Sequence, residues 1–266
     1  MQNLILAIDI GNTNTSIGIW NKDNLVDTCA ISSDIKKTCD EYGILLTTIL
    51  NHKDFLSEIK GAIISSVVPK LSETFSDAIL KYLKIKAINL THKSKMPVKL
   101  NLDNNKEIGA DRIANASAAA IKYKLPAIVI DFGTATTFDI VNSNGEFVGG
   151  IIAPGLGTQL NSLGRATEKL PELKVAEVEN YIGNCTVDAI LSGVIRGSAC
   201  MIDGMLKNCM RELGEKPFII GTGGYCSIMA KYMEQHFDRI EPDLTLQGLR
   251  ELYMLNIPNQ PVYRTH

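Results

Sequence analysis

The chain has 266 residues, of which 45% are hydrophobic, and its 27 Lys and Arg residues nearly balance its 29 Asp and Glu residues, for a formal net charge of −2. Such a composition is typical of a globular protein with a substantial core and excludes a disordered or fibrous chain. The balanced charge gives no basic surface for a nucleic-acid backbone, so we expect no nucleic-acid partner.

The sequence also argues against a membrane protein and against a zinc-bound or disulfide-linked domain. No continuous apolar run approaches the roughly 20 residues that span a bilayer, and the first residues lack the basic start of a secretion signal. The six cysteines form no Cys-x-x-Cys pair, and the four histidines have no metal-ligand spacing. We therefore expect a cytoplasmic protein with no membrane segment and with reduced cysteines.

The first motif lies near the N-terminus, where an apolar run from Leu4 predicts a buried strand and a second run from Ile17 predicts its partner. Between them, a glycine lets backbone amides approach a ligand, and small polar side chains surround the same point. We expect this turn to hold phosphate oxygens of a nucleotide, with donors from Gly11, Asn12, Thr13, Thr15 and Ser16. The Asp9 carboxylate is costly to bury unpaired, so we assign it to magnesium carried on the nucleotide. A plain polar hairpin turn is the alternative.

Helices and strands alternate after this hairpin, which predicts an α/β half. The predicted elements are a strand over 25–31, a helix over 38–51, a buried strand over 61–68, a helix beginning at Pro69 and a short strand over 87–90. Residues 91–105 are polar and irregular. Residues 107–112 then introduce an alanine-rich helix over 113–122, which suits a seam between domains.

A second copy of the first motif occurs at residues 127–141, where an apolar strand again leads through Asp-x-Gly and small hydroxyl residues into another strand. The matching residues are Asp9 with Asp131 and Gly11 with Gly133. Because nearly half of the chain separates the copies, we predict two similar domains whose turns face each other across a nucleotide cleft. The predicted domains are 1–116 and 117–266.

The second half continues with further glycine-rich and helical segments. They are a strand ending in a glycine-lined bend at 149–155, a helix over 156–166, a long apolar-striped helix from Thr186 and a strand over 216–220. That last strand runs into Gly221-Thr222-Gly223-Gly224, which either lets adenine or ribose lie against the backbone or is a plain tight turn. A helix over 244–255 and a loose tail over 258–266 close the chain.

Five motifs together carry a resemblance: Asp9-Ile-Gly-Asn-Thr13, Gly109-Ala-Asp-Arg112, Asp131-Phe-Gly-Thr134, Gly149-Gly-Ile-Ile-Ala-Pro-Gly155 and Asn184-Cys-Thr-Val-Asp-Ala-Ile190. In this order and spacing the chain resembles the type III pantothenate kinases over nearly its whole length. The resemblance implies the acetate-kinase, sugar-kinase, Hsp70 and actin superfold. That fold is α/β, with two ribonuclease-H-like domains, each a mixed sheet flanked by helices, and a nucleotide cleft between them.

The resemblance also implies an enzyme that uses ATP and Mg²⁺ to phosphorylate the primary hydroxyl of pantothenate, the first step of coenzyme A biosynthesis. Family members are homodimers with shared active sites and need K⁺ or NH₄⁺. By position, Asp111 resembles the proton acceptor and Asp131 the monovalent-cation ligand. The implied contacts with the ATP phosphates are Asp9, Ile10, Gly11, Asn12, Thr13, Asn14, Thr15 and Ser16, with Thr134 as a further ATP contact. The implied pantothenate contacts are Gly109, Ala110, Asp111, Arg112 and, from the neighbouring subunit, Thr186.

One position departs from the family pattern and leaves alternatives open. Leu102 stands seven residues before Gly109, where the family has a substrate-contacting tyrosine. A kinase for another small alcohol is therefore one alternative. A non-catalytic nucleotide-binding regulator of the same fold is the other, although the retained Asp111 favours an enzyme. Arg112 suits either the pantothenate carboxylate or a phosphate.

Overall fold

The computed structural model describes residues 3–166 and 173–257. These residues form two compact units. The first contains the chain up to Pro97, Asn104–Ala118 and the residues from Thr245 on, and the second contains Val98–Asp103 and Ala119–Leu244. The tail predicted over 258–266 lies outside the described residues.

The described residues form strands and helices that alternate through much of the chain. The strands are β1 Leu4–Ile10, β2 Asn14–Asn21, β3 Asn24–Ser32, β4 Ile59–Ser66, β5 Ile88–Asn89, β6 Lys99–Leu100, β7 Ala127–Phe132, β8 Ala135–Val141, β9 Glu146–Pro154, β10 Phe218–Thr222 and β11 Arg239–Ile240. The helices are α1 Cys39–His52, α2 Pro69–Ala78, α3 Ala110–Lys122, α4 Leu156–Ala166, α5 Thr186–Leu213, α6 Cys226–Met229 and α7 Leu244–Asn256.

The sheet of the first unit is mixed and has the order β3-β2-β1-β4-β5. β1 pairs antiparallel with β2 and parallel with β4, so it lies at the centre. Its residues Leu4–Ile8 are all buried. Because a central strand covered on both faces needs apolar side chains in both directions, β1 is a nearly continuous apolar run until Asp9.

Separate apolar clusters cover the two faces of this sheet. On one face, β1 packs against α1 and α2 around Tyr42 and Phe75, whose ring centroids lie 4.3 Å apart. On the other face, Trp20 packs in one cluster with Ile113 of α3 and Leu249 of α7. The C-terminal helix therefore packs with the first unit. The division predicted from the sequence, between 116 and 117, places this helix in the second domain.

The sheet of the second unit repeats the plan of the first. Its order is β11-β10-β7-β8-β9-β6, with β7 antiparallel to β8 and parallel to β10. One face carries Ile130, Phe132 and Phe138, which pack with Ile195 and Ile202 of α5. Apart from the added edge strand β6, each strand of the first sheet has a counterpart in the same order. The predicted α/β class, with two mixed sheets flanked by helices, is confirmed.

Helix α5 passes a composition test for a membrane span, which the sequence analysis did not anticipate because it counted continuous apolar runs. The mean hydropathy of its most apolar 18-residue window is 1.4. However, half of that window is buried inside the structure. Since Ile195 and Ile202 pack into the core of the second unit, we interpret α5 as a core helix.

The close packing of α7 on α3 gives a testable prediction about stability. A Cβ at Gly248 would overlap the Ala114 carbonyl oxygen and lie 2.7 Å from the carbonyl carbon. We expect Gly248→Ala to lower the free energy of unfolding by about 1–3 kcal/mol, because backbone atoms must move apart. Urea denaturation measures this loss.

A matched glycine in another helix serves as the control. In α4, a Cβ at Gly164 would meet no described atom within 4 Å. We expect Gly164→Ala to leave stability unchanged or to raise it by up to about 1 kcal/mol, because alanine favours a helix. Equal losses in the two variants would contradict this account of the α3–α7 contact.

Candidate active site

The first turn, residues 11–14, is closed by its own backbone and presents its polar side chains to solvent. The Gly11 N–H donates to the Asn14 carbonyl at 3.0 Å, and the Ser33 N–H donates to the Thr13 carbonyl at 2.9 Å. The three side chains that follow Gly11 are exposed. The turn is thus fixed from within and offers amide and hydroxyl groups to a ligand, as a phosphate loop requires.

Thr15 and Ser16, predicted together as ATP contacts, lie in different environments. Thr15 is fully buried, and its hydroxyl forms a hydrogen bond with the Ser33 hydroxyl at 2.9 Å. Ser16 is only partly buried and lies in register with Asp9. Thr15 therefore supports the turn from inside, whereas Ser16 shares the face of the carboxylate.

Asp9 lies between two hydroxyl side chains on one face of the sheet. It is in register with Ser16 on β2 and with Ser65 on β4, and side chains in register on adjacent strands point to the same face. Ser65 is fully buried, and within residues 3–166 and 173–257 its hydroxyl has no hydrogen-bond partner. A buried polar atom without a partner indicates a water or ligand that belongs beside it.

This set of oxygen atoms fits a magnesium ion that arrives on a nucleotide. Carboxylate and hydroxyl oxygens are hard ligands, and Mg²⁺ in kinases takes most of its ligands from phosphate and water. In the part of the chain that the structure describes, no group of three or more His, Cys, Asp or Glu side chains could hold a metal ion by itself.

The predicted substrate loop forms the first turn of α3. The helix begins at Ala110, not at Ile113 as the sequence predicts, so Asp111 and Arg112 are helical residues. The Ile113 N–H donates to the Gly109 carbonyl at 3.2 Å and closes this turn. A Cβ at Gly109 would overlap the Asp111 carboxylate, which explains the glycine. The carboxylate is thereby fixed at the N-terminus of the helix.

The environment of Asp111 makes it a stronger base than a surface carboxylate. Burial raises the pKa of its carboxyl above the ordinary value, and this outweighs the N–H of Arg112, which donates to Oδ1 at 2.8 Å, and the Arg112 charge. A raised pKa increases the affinity of the carboxylate for a proton. Asp111 can therefore orient an alcohol and accept its proton.

Val67 connects the phosphate turn with the start of α3 inside the first unit. Its N–H donates to the Ile10 carbonyl at 3.1 Å, next to Gly11. Its Cγ1 lies 3.5 Å from the position of a Cβ on Gly109. The structure therefore brings together two groups of predicted site residues that nearly a hundred positions separate in the sequence.

The second turn, after Asp131, is tied to the helix that follows it. The Gly133 N–H donates to the Ala135 carbonyl at 3.0 Å. The Thr134 carbonyl accepts the Gly155 N–H at 3.0 Å and the Thr158 hydroxyl at 2.6 Å. The Thr134 side chain itself is exposed, as a ligand contact requires.

The glycine-rich segment 221–224 is shaped by Asp131. Gly223 has a φ of +85°, which favours glycine, and a Cβ there would overlap the Asp131 carboxylate and lie 2.6 Å from the Phe132 nitrogen. Burial and the nearby Asp131 charge raise the pKa of the Cys226 thiol to about 12. Of the two sequence interpretations, the close approach to Asp131 supports a structural turn built around this carboxylate.

Asp131, like Asp9, lies in register with a hydroxyl residue on each of its two neighbouring strands. It lies opposite Thr137 on β8 and beside Thr222 on β10, which match Ser16 and Ser65 of the first unit. A carboxylate between two hydroxyls on one sheet face is therefore part of the repeated plan. Ser65 was not predicted from the sequence, because register across a crossover leaves no local signal, whereas Thr222 lies in the glycine-rich segment 221–224 that the sequence singled out.

Two other predicted positions lie elsewhere in the second unit. Thr186 is exposed at the first position of α5, directly after Cys185, whose Sγ accepts the Asp188 N–H at 3.5 Å. A 370 Å³ cavity beside this helix start is lined by Glu177, Val178, Glu179, Asn180, Ile182, Gly183, Asn184 and Asp188. Leu102 is partly buried just after β6, which pairs with β9.

Solved structures of other proteins share this fold. The activator of 2-hydroxyisocaproyl-CoA dehydratase from Clostridium difficile, with bound ADPNP, aligns with a TM-score of 0.53 at 13% identity, over 97% of this chain and 100% of that one. A Baf family transcriptional activator structure from Campylobacter jejuni aligns with a TM-score of 0.56 at 21% identity, over 94% and 97%. These likenesses show that the chain shares the fold of these proteins.

Sequence comparisons then give the family. A model of the type III pantothenate kinase family matches residues 5–208. Type III pantothenate kinases from Dehalococcoides mccartyi strain CBDB1 and Citrifermentans bemidjiense are 40% and 39% identical, each over 95% of this chain and over 96% and 100% of their own lengths. The chain belongs to the type III pantothenate kinase family, and the resemblance inferred from its five motifs is confirmed.

The buried carboxyl of Asp111 predicts a change in stability with pH. Burial raises its folded-state pKa, so the ionised group destabilises the folded protein fully above that pKa. This effect shrinks at lower pH and vanishes below the pKa of the unfolded chain. We expect Asp111→Asn to be at least as stable as the parent at pH 7. This advantage should shrink as the pH falls toward about 3.9, the ordinary aspartate value. Urea midpoints over this pH range measure it, and a clear loss of stability at pH 7 would contradict it.

Proposed function

We propose that this chain transfers the γ-phosphate of ATP to the primary hydroxyl of pantothenate, the first step of coenzyme A biosynthesis. Membership of the type III pantothenate kinase family supports this function. The structural observation that carries it is the contact of Val67 with both the phosphate turn and the start of α3. A phosphate-binding loop and a buried carboxylate are thereby held side by side.

The first turn is proposed to bind the ATP phosphates. Its exposed side chains and the N–H groups around Gly11 offer donors to phosphate oxygens. Magnesium on the nucleotide would neutralise charge that spreads over the transferred phosphoryl group. Asp9 and Ser16, which lie on one face of the first sheet, would hold this magnesium ion. The protein needs to supply alignment and charge and no covalent intermediate, because phosphoryl transfer proceeds through a loose transition state.

Asp111 is proposed to orient the pantothenate hydroxyl and to accept its proton. Its position is fixed by the helix start and by the Arg112 N–H. Since proton loss can follow phosphoryl transfer in a loose transition state, orientation is a large part of its role. Arg112 would contact the pantothenate carboxylate or a phosphate, both of which match its planar donors.

Asp131 is proposed to bind K⁺ or NH₄⁺, with Thr134 as a further ATP contact. The carboxylate lies in a rigid setting of glycine backbone and hydroxyl groups, which suits a weakly bound monovalent cation. The negative charge that this carboxylate places near Cys226 is a further reason to expect a counter-ion. ADP release in K⁺ compared with a large organic cation tests the requirement.

The enzyme is proposed to act in the cytoplasm as a homodimer whose two active sites each include Thr186 of the neighbouring subunit. One face of α5 supports this assembly, since Gly193, Gly197 and Cys200 are exposed and a Cβ on either glycine would meet no described atom within 4 Å. Small residues along an exposed face allow a second helix to approach closely. Apolar side chains at Tyr181 and Ile182 near the helix start are also exposed.

The main test is pantothenate-dependent ADP release and its loss in Asp111→Asn. The substitution keeps the shape of the side chain but removes the proton acceptor, so kcat should fall by about 10²–10⁴ while ATP binding is kept. The control is Glu107→Gln, an exposed carboxylate just before α3, which should keep the parental rate. An Asp111→Asn variant with more than about a tenth of the parental kcat would contradict the assigned role.

The same assay separates the two alternatives. A non-catalytic regulator would bind ATP and release no ADP with any acceptor. A kinase for another alcohol would release ADP with a different member of an acceptor panel and not with pantothenate, and Leu102 is the residue that motivates this comparison.

A mixing experiment tests the shared active sites. Asp111→Asn and Thr186→Arg place their defects in different subunits of one site, so a mixed dimer retains one intact site of two. Equal mixing should restore about a quarter of the parental activity, because about half of the dimers are mixed. Asn208→Arg, at an exposed position near the other end of α5, is the control for the added charge. Activity that stays at the level of the separate variants would rule out sharing.

A further inference from the structure

The hydroxyl of Ser65 is the starting point, because its setting is unusual for a polar group. Ser65 is fully buried in β4, and its Oγ has no hydrogen-bond partner among residues 3–166 and 173–257. An unsatisfied buried hydroxyl destabilises a protein, since it loses water and gains no partner in return. Such a group calls for an explanation, and a water, an ion or a functional partner can provide it.

The register of the sheet shows which group can be that partner. Ser65 lies beside Asp9 in the parallel β1–β4 pair, on the face that also carries Ser16. A hydroxyl that donates to a carboxylate forms a charge-assisted hydrogen bond, which is stronger than a neutral one. In metal sites, such a partner fixes the orientation of the ligand that touches the metal.

We propose that Ser65 is a positioning residue for magnesium-nucleotide binding. Its hydroxyl donates to the Asp9 carboxylate, directly or through one ordered water, when the magnesium nucleotide is bound. This hydrogen bond orients the carboxylate so that its remaining oxygen faces the ion. The inference rests on the proposed ATP site at Asp9 and adds a residue that touches neither ATP nor pantothenate.

At the matching position of the second unit, the buried hydroxyl has a hydrogen-bond partner. Thr222 lies beside Asp131 in the parallel β7–β10 pair, and it is also buried, with 1% of its surface exposed. Its hydroxyl donates to the Pro242 carbonyl at 3.4 Å. Among the described residues, the Thr222 hydroxyl has a backbone partner and the Ser65 hydroxyl has none. The two repeats therefore differ at this position.

The test measures ADP affinity by calorimetry with and without Mg²⁺ for the parent, Ser65→Ala and Ser117→Ala. Ser117 is the matched control, because it is a second fully buried serine in the first unit whose hydroxyl also has no partner among the described residues. We expect Ser65→Ala to weaken Mg²⁺-ADP binding about tenfold, with affinity for metal-free ADP unchanged. Ser117→Ala should behave as the parent does.

Thermal unfolding adds a second readout that a purely structural role would not reproduce. Without nucleotide, Ser65→Ala should unfold at the parental temperature or up to about 4 °C higher, because an unsatisfied hydroxyl is removed. The pair Ser65→Thr and Ser65→Val controls for shape, since the two side chains differ only in the hydroxyl group. Mg²⁺ should strengthen ADP binding more in Ser65→Thr than in Ser65→Val.

The outcomes distinguish this inference from the function on which it rests. If Ser65→Ala keeps the parental Mg²⁺ effect on ADP affinity, the role of Ser65 is overturned while the ATP site stands. If threonine and valine at position 65 give the same affinities, the hydroxyl is not involved. If the parent itself binds ADP equally with and without Mg²⁺, the assignment of Asp9 and the role of Ser65 are both overturned.

Discussion

The central constraint on this protein is a carboxylate near the end of the central strand of each sheet. β1 and β7 are apolar until their last-but-one residue, where Asp9 and Asp131 interrupt the run. An ionised carboxylate at the edge of an apolar core is unfavourable unless donors or a cation compensate its charge. In the first unit, the hydroxyls of Ser16 and Ser65, in register with Asp9 on the neighbouring strands, can supply donors. A cation or a nucleotide-bound metal can supply the rest.

Glycines lie close to two acidic side chains of the site, Asp111 and Asp131. A Cβ at Gly109 would overlap Asp111, and one at Gly223 would overlap Asp131. In both places, backbone comes so close to a carboxylate that a larger side chain would displace it. The glycines that look like loop residues in the sequence therefore fix acidic side chains at defined positions, which is what binding and proton transfer require.

The sequence predicted the features that depend on local pattern. The third strand, predicted over 25–31, spans Asn24–Ser32, and the first helix, predicted over 38–51, spans Cys39–His52. Both have clear periodicity, and Thr38 forms a capping box. Features that depend on register or on distant packing were not predicted. Ser65 is recognisable only from its pairing with Asp9. The two-residue strands β6 and β11 are too short for any periodicity, whereas β5 lies inside the short strand predicted over 87–90.

The two repeats share a plan and have diverged in how firmly each turn is held. The loop between the paired residues Ile10 and Thr15 is one residue longer than the loop between Phe132 and Thr136. The longer turn exposes a row of polar side chains and stands beside the unsatisfied Ser65. The shorter turn is tied to α4 through the Thr134 carbonyl. The longer turn, with three exposed polar side chains, offers more donors to phosphate oxygens than the shorter turn, where Thr134 is the exposed residue. This difference supports the assignment of the nucleotide phosphates to the first repeat.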